Sequence, residues 1–178
     1  MEIILIILVI ALKFLLPAAI TFMPFAAGWA NFVLDSIDGD ILIPLGLEDA
    51  VYQPIDKIAD WVTYVAIVVL AYKAGWAIKK LILGLFIFRS IGQLLFLLTG
   101  EEIIFFYFPN FLEPLFLVTA SIMAYQRVVK KRKKWQAKTW EVMKKHKYLI
   151  AILIFLYKMQ DEYVTHVGNF DRSELIQK

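Results

Sequence analysis

Residues 3–12, 14–34, 61–72, 81–98, 103–124 and 148–157 form long, almost uncharged apolar blocks. Within each block the apolar side chains run on without alternating and without a helical stripe. A chain in lipid must satisfy its backbone hydrogen bonds internally, and strand-like alternation is absent, so the blocks read as helices. About 20 mostly apolar residues cross a bilayer core, and several blocks reach that length with a polar residue or two at their ends. The pattern predicts a first helix over 3–16, with Pro17 and Pro24 bracketing a kink or tight turn. A second helix runs from 18 or 25 to 38, followed by a loop with Gly39, Pro44 and Gly46. A third helix starts at Pro54, a residue favoured in a first helical turn, and runs to 72. A fourth covers 80–98, and 99–102 is a turn. A fifth covers 103–125 with Pro109 and Pro114 inside it. A sixth begins at 148, and its strictly apolar part ends at 157. It either continues through Lys158, Asp161 and His166 with a polar face turned inward, or only dips into the membrane. The expected fold class is all-α: a polytopic transmembrane helix bundle of about five to six spanning helices. It forms one domain over 1–168 with a polar tail over 169–178.

Composition agrees. Of the 178 residues, 61% are hydrophobic and the mean hydropathy is +0.68, against about 45–50% apolar in soluble domains. The absence of cysteine excludes disulfides, thiolate metal sites and cysteine nucleophiles. The first block lacks a basic start and no polar mature domain follows it, so it reads as a retained helix, not a signal peptide.

The basic residues gather in 127–147, which holds ten Lys or Arg. Cytoplasmic loops carry excess positive charge, so this segment is expected to be cytoplasmic. Lys73, Lys79 and Lys80 fit a fourth helix starting on the same side, and Lys13 is expected to snorkel there. The acids Glu2, Glu101, Glu102 and the 35–60 region then collect on the opposite face, joined by Asp161 and Glu162 if the sixth helix spans. Trp135 and Trp140 among the lysines suggest an amphipathic helix on anionic lipid. A solvated topology signal is the plainer reading, and nucleic acid is not an expected partner. The setting expected from these features is a plasma membrane of prokaryotic type.

Asp35 and Asp38 are three apart at the end of one hydrophobic helix, and Asp56 and Asp60 are four apart at the start of the next. Each spacing puts a pair on one helical face, with Asn31 one turn before Asp35. A short link makes the two helices antiparallel neighbours, so four carboxylates converge at the membrane edge. Repulsion and desolvation would force protons onto some of them. A hard divalent cation such as Mg²⁺ or Mn²⁺ relieves this, and carboxylates on membrane helices are functional candidates. Taken separately, Asp56 in a first turn and Asp38-Gly39-Asp40 as a helix stop have ordinary explanations.

This pattern resembles the signature of the CDP-alcohol phosphatidyltransferases, integral membrane enzymes of phospholipid synthesis. That signature is D-x-x-D-G-x-x-A-R, eight residues, then G-x-x-x-D-x-x-x-D. Asp35, Asp38, Gly39, Asp56 and Asp60 match with every interval kept, across 35–60. Leu42-Ile43 stand where the signature has Ala-Arg, and Tyr52 where it has the second Gly. The resemblance implies a metal site at Asp35, Asp38 and Asp56, with Asp60 as general base and Gly39 on the substrate side. It also implies a site facing the cytoplasm, opposite to the face that the charge count gives. The implied reaction is metal-dependent phosphoryl or phosphatidyl transfer on a lipid-linked substrate. A bundle that binds or transports divalent cations without catalysis is the alternative, and a catalytically inactive relative is another.

Arg89, costly in lipid, is expected to face the bundle and pair with Glu113 or the aspartates, or to bind a substrate phosphate. Gln93 lies one turn on, and Asn110 and Glu113, between Pro109 and Pro114, are candidates to line an irregular cavity wall. His146 reads as solvated and His166 as a surface residue. Expected partners are membrane lipids and a lipid-linked or phosphate-bearing substrate, with a homodimer as a permitted assembly.

Overall fold

A computed structural model describes residues 2–166, all of whose regular elements are helical. They are α1 (Glu2–Ile20), α2 (Pro24–Leu42), α3 (Asp49–Lys73), α4 (Lys79–Thr99), α5 (Ile103–Tyr107), α6 (Leu112–Ala124), α7 (Trp135–Lys145) and α8 (Lys147–His166). A π-helical turn, Tyr125–Val129, prolongs α6. The tail over 169–178 and the side chain of His166 lie outside the described residues. The chain divides into two compact units, Met1–Ile82 and Leu83–Lys178.

Several boundaries move relative to the sequence pattern. Pro17 does not end α1; it lies buried within it. Proline interrupts one ladder bond, and a helix held by its neighbours tolerates that. Pro24 is the first residue of α2, where its missing N–H is harmless. Pro54 is not a helix start, because α3 begins a turn earlier at Asp49. Gly39 is not in the loop either: α2 continues past Asp38 to Leu42. The fifth predicted helix is two pieces, broken between Tyr107 and Leu112 around Pro109. The sixth takes the longer of its two predicted courses and continues through Lys158 and Asp161.

In the first unit α1 packs along both α2 and α3. Its buried residues Val9, Lys13, Pro17 and Ile20 fall at helical intervals and make one face. Gly75, at φ +63, ends α3 in the left-handed conformation that glycine adopts freely. The Trp76 N–H then bonds back to the carbonyl of Ala71, and its ring is buried.

In the second unit α5 and α7 pack on α8, and α7 also packs on α6. The α4 rings Phe88 and Phe96 meet Phe108 and Phe105 at centroid distances of 5.0 and 4.8 Å.

Among the described residues, two helices, α1 and α4, are long and apolar enough to cross a membrane, by length and composition. Both units keep an apolar core, but α1 and α8 partly invert the burial of a water-soluble protein. Lys13 in α1 and Lys158, Asp161 and Glu162 in α8 are buried, while Ile3, Ile4, Ile7 and Leu15 in α1 and Leu149, Ile152, Phe155 and Leu156 in α8 are exposed.

Candidate functional site

Asp35, Asp38 and Asp56 each turn one carboxylate oxygen to a common point, and these oxygens lie within 4.8 Å of one another. The three form a group that could hold a metal ion. Asp38 and Asp56 are buried and Asp35 is half-buried. The i, i+3 spacing sets Asp35 and Asp38 on one face of α2, and α3 brings Asp56 against it.

The ammonium of Lys13 sits among these carboxylates. Its Nζ is 3.2 Å from Asp35 Oδ1 and hydrogen-bonded to Asp38 Oδ2 and Asp56 Oδ1. Lys13 is 4% exposed, so it does not snorkel to the membrane edge as its place in the sequence suggested. Three anionic partners outweigh what the water interface offers one ammonium. The helix pair α2–α3 was the expected frame of the site, yet α1 supplies its central cation. The signal lay in the sequence: a single charge between long apolar runs seeks a buried partner of opposite sign.

A second lysine closes the other side. Lys57 Nζ is 2.6 Å from Asp56 Oδ2 and 4.0 Å from Asp60 Oδ2. Asp60 stands next to the three converging carboxylates, one helical turn along α3 from Asp56, and is not among them.

Tyr52 takes the place that the resembling signature keeps for glycine, and it fills space. Its hydroxyl donates to Asp38 Oδ1 at 3.0 Å, the same oxygen that accepts the Gly39 N–H at 3.0 Å. Its ring lies 5.8 Å from the Lys13 ammonium. A Cβ on Gly39 would stand 3.2 Å from the tyrosine oxygen. Gly39 therefore gives room to Tyr52, and the side on which a substrate was expected holds that ring. Leu42, in the signature's Ala position, is fully buried, and Ile43, in its Arg position, is exposed. Asn31 is buried below the cluster, where its Oδ1 accepts from the Thr63 hydroxyl at 3.4 Å.

Arg89 belongs to the second unit and is buried there. Its Nη1 donates to the Phe108 carbonyl at 2.7 Å and lies 3.6 Å from Glu162 Oε1. The guanidinium stacks over the Phe105 ring at 4.3 Å. Glu162 is thus an acid beside Arg89 that the sequence reading did not name. It also accepts the Asn110 N–H at 3.0 Å and lies 3.3 Å from Lys158, which holds Asp161 at 2.5 Å. Glu113 meets Asn110, whose Oδ1 accepts the Glu113 N–H at 3.2 Å. This network stitches α4 and α8 to the break between α5 and α6, where Pro109 leaves backbone groups to be satisfied.

No protein-family model, curated protein or solved structure matches the chain.

Proposed function

We propose that the chain is a multi-pass membrane protein whose working part is a cation site at Asp35, Asp38 and Asp56, with Lys13 as a built-in competitor for the same carboxylates. The observation that carries this reading is the charge of the cluster. Four carboxylates, those of Asp35, Asp38, Asp56 and Asp60, face two ammonium groups, those of Lys13 and Lys57. With all four acids ionised, two negative charges are left over while Lys13 stays and three once it is displaced, in a largely buried place, and a divalent cation offsets most of either excess. All-oxygen donors suit Mg²⁺ or Mn²⁺ better than softer metals. A cation entering between the three carboxylates displaces the Lys13 ammonium, so binding is coupled to movement of α1's one buried charge. The partly inverted burial of α1 and α8 supports the multi-pass reading: lipid, unlike water, favours apolar side chains outside and charges paired within.

A second reading is metal-dependent phosphoryl or phosphatidyl transfer on a lipid-linked substrate. The kept intervals of Asp35, Asp38, Gly39, Asp56 and Asp60 favour it. A bound Mg²⁺ or Mn²⁺ would polarise phosphate oxygens there, and Asp60 would take the proton of an attacking hydroxyl. Tyr52 beside Gly39 and Ile43 in the arginine position weigh towards cation binding without transfer.

Thermal unfolding of the purified chain in detergent tests the site. A ligand at about 100 times its Kd stabilises by about 2.7 kcal/mol, so millimolar Mn²⁺ or Mg²⁺ should raise the Tm. Asp38→Asn should lose most of that rise. Asp40→Asn, whose side chain is exposed on α2, should keep it. Equal responses from the two variants would rule out the site. Turnover of a CDP-linked lipid by the Mn²⁺-loaded protein would move the assignment to the second reading.

A further inference from the structure

Between the π-helical turn and the start of α8 the chain carries ten Lys or Arg against one acid, Glu141. Lys138 donates to Glu141 at 2.5 Å, and this hydrogen bond holds the Glu141 carboxyl below the usual carboxylate range. The one local acid is thus already engaged, and Arg127, Lys130, Lys131, Arg132, Lys133, Lys134, Lys144, Lys145 and Lys147 are exposed.

This segment does not extend away from the helices as a free loop. The Lys130 N–H returns to the Tyr125 carbonyl at 3.0 Å and the Arg132 N–H to the Gln126 carbonyl at 3.1 Å, which turns the chain back. The α7 helix then lies against α6 through the buried side chains of Thr139 and Met143. The Thr119 hydroxyl donates to Met143 Sδ at 3.4 Å. The basic side of the segment is left as a fixed ridge. Some of this charge offsets the carbonyl end of α6, but that effect is confined to about the last turn of a helix.

Apolar residues are exposed at both ends of the ridge. Val128 and Val129 are 67% and 64% exposed where the chain enters it, and Tyr148 and Leu149 are 74% and 55% exposed where it leaves. An ordinary solvated loop has no reason to carry exposed valines and leucine at both roots. A segment resting at the boundary between hydrocarbon and headgroups does: apolar side chains enter the acyl layer and cations stand at phosphate height. Arg127 lies over Trp135 at 5.8 Å and Lys147 over Tyr148 at 4.7 Å, pairing cation with aromatic as interfacial anchors do.

We propose that the ridge formed by the π-helical turn, the loop after it and α7 binds the phosphate surface of anionic phospholipids. The inference rests on the multi-pass reading above. Each Lys or Arg near an anionic leaflet is drawn to it, so a ridge of this charge distinguishes strongly between anionic and zwitterionic lipid.

The chain has no cysteine, so Gln136→Cys, exposed in the first turn of α7, takes a single environment-sensitive fluorophore on the full-length protein. The labelled protein is placed in nanodiscs of phosphatidylcholine alone or with one-third phosphatidylglycerol. Stable incorporation into the zwitterionic discs tests the membrane reading by itself. For the ridge, emission should shift to the blue only in the anionic discs. The shift should reverse in 1 M salt, where the screening length falls to about 3 Å. Replacing Lys131, Arg132, Lys133 and Lys134 together by Gln should remove it. These side chains are exposed, so folding should be kept, as circular dichroism would verify. The same emission in both lipids, or a shift that survives the fourfold replacement, overturns the proposal. So does a saturable response to polyglutamate with none to anionic lipid, which would assign the ridge to an acidic polypeptide.

Discussion

Lys13 and Asp38 form an ion pair across 25 positions of sequence, with side-chain exposures of 4% and 0%. Loss of Lys13 leaves Asp38 buried without this ammonium, whereas loss of Asp38 leaves Lys13 with Asp35 and Asp56. Deleting one partner of a buried pair costs about 3–5 kcal/mol, because the remaining charge is left uncompensated. Lys13→Met, which keeps the length and apolar character of the stem, should therefore lower the Tm in metal-free detergent by several degrees or more. It should also sharpen the response to Mn²⁺, since the competing ammonium is gone. Titration of the Tm against Mn²⁺ reads both effects. If Lys13→Met melts with the parent protein and has the same Mn²⁺ midpoint, the ammonium has no part in the site.

The aspartates were legible in the sequence because helical spacing is a local property. Asp35 with Asp38, and Asp56 with Asp60, had to share faces wherever their helices lay. The helical class was legible too, since continuous apolar blocks admit little else. The partners of Lys13 were not, because they lie on other helices and a lysine four residues before Pro17 looks like a helix-end anchor, although an isolated charge between apolar runs was itself a signal. Proline misled in both directions. Pro17 and Pro54 sit inside helices, while Pro109 breaks one, and tertiary support decides between these outcomes. For Arg89 the sequence offers Glu113 or the aspartates as partners. Glu162 reaches it because α8 continues past its apolar part, an extension that the apolar pattern left open.

Gly39 and Tyr52 give a prediction whose sign depends on background. In the parent protein a Cβ at position 39 would lie 3.2 Å from the tyrosine oxygen and 3.5 Å from Cζ. Gly39→Ala should thus press on the hydroxyl that holds Asp38 and lower the Tm. Tyr52→Phe removes that oxygen and the hydrogen bond to Asp38, at about 1.5–3 kcal/mol for a bond to a charged group. With the oxygen gone, the nearest ring carbon is at ordinary contact distance. Gly39→Ala added to Tyr52→Phe should then be neutral or gain up to about 1 kcal/mol of helix propensity. A double-mutant cycle measures the coupling, and strict additivity would mean that the tyrosine does not occupy this space.

Arg89→Leu should destabilise the second unit. The cost is expected near the lower end of the about 3–5 kcal/mol seen for buried pairs, because Lys158 still faces Glu162. Arg89→Lys should recover only part of the loss, since an ammonium cannot both bond the Phe108 carbonyl and stack on Phe105 as a guanidinium does. Denaturation in detergent gives the order parent, Lys, Leu. A leucine variant as stable as the parent would show that Arg89 merely reaches for the interface.

Gly92 tests the same junction from the backbone side. A Cβ there would lie 2.4 Å from Phe108 Cβ and 2.9 Å from Cγ. Phe108 Cβ is fixed to its own backbone, so rotation of the ring cannot relieve the contact. Either α4 or the segment around Pro109 must move. Overpacking of this kind costs about 1–3 kcal/mol. The movement would also carry the Phe108 carbonyl away from Arg89, which bonds it at 2.7 Å. Gly92→Ala should therefore destabilise strongly, and its cost should add less than fully to that of Arg89→Leu, because both lose the same hydrogen bond. Gly84→Ala, also in α4 but with open space around its Cβ position, should gain up to about 1 kcal/mol from helix propensity. If the two alanines behave alike in thermal unfolding, the close approach of α4 to Phe108 is absent from the protein in solution.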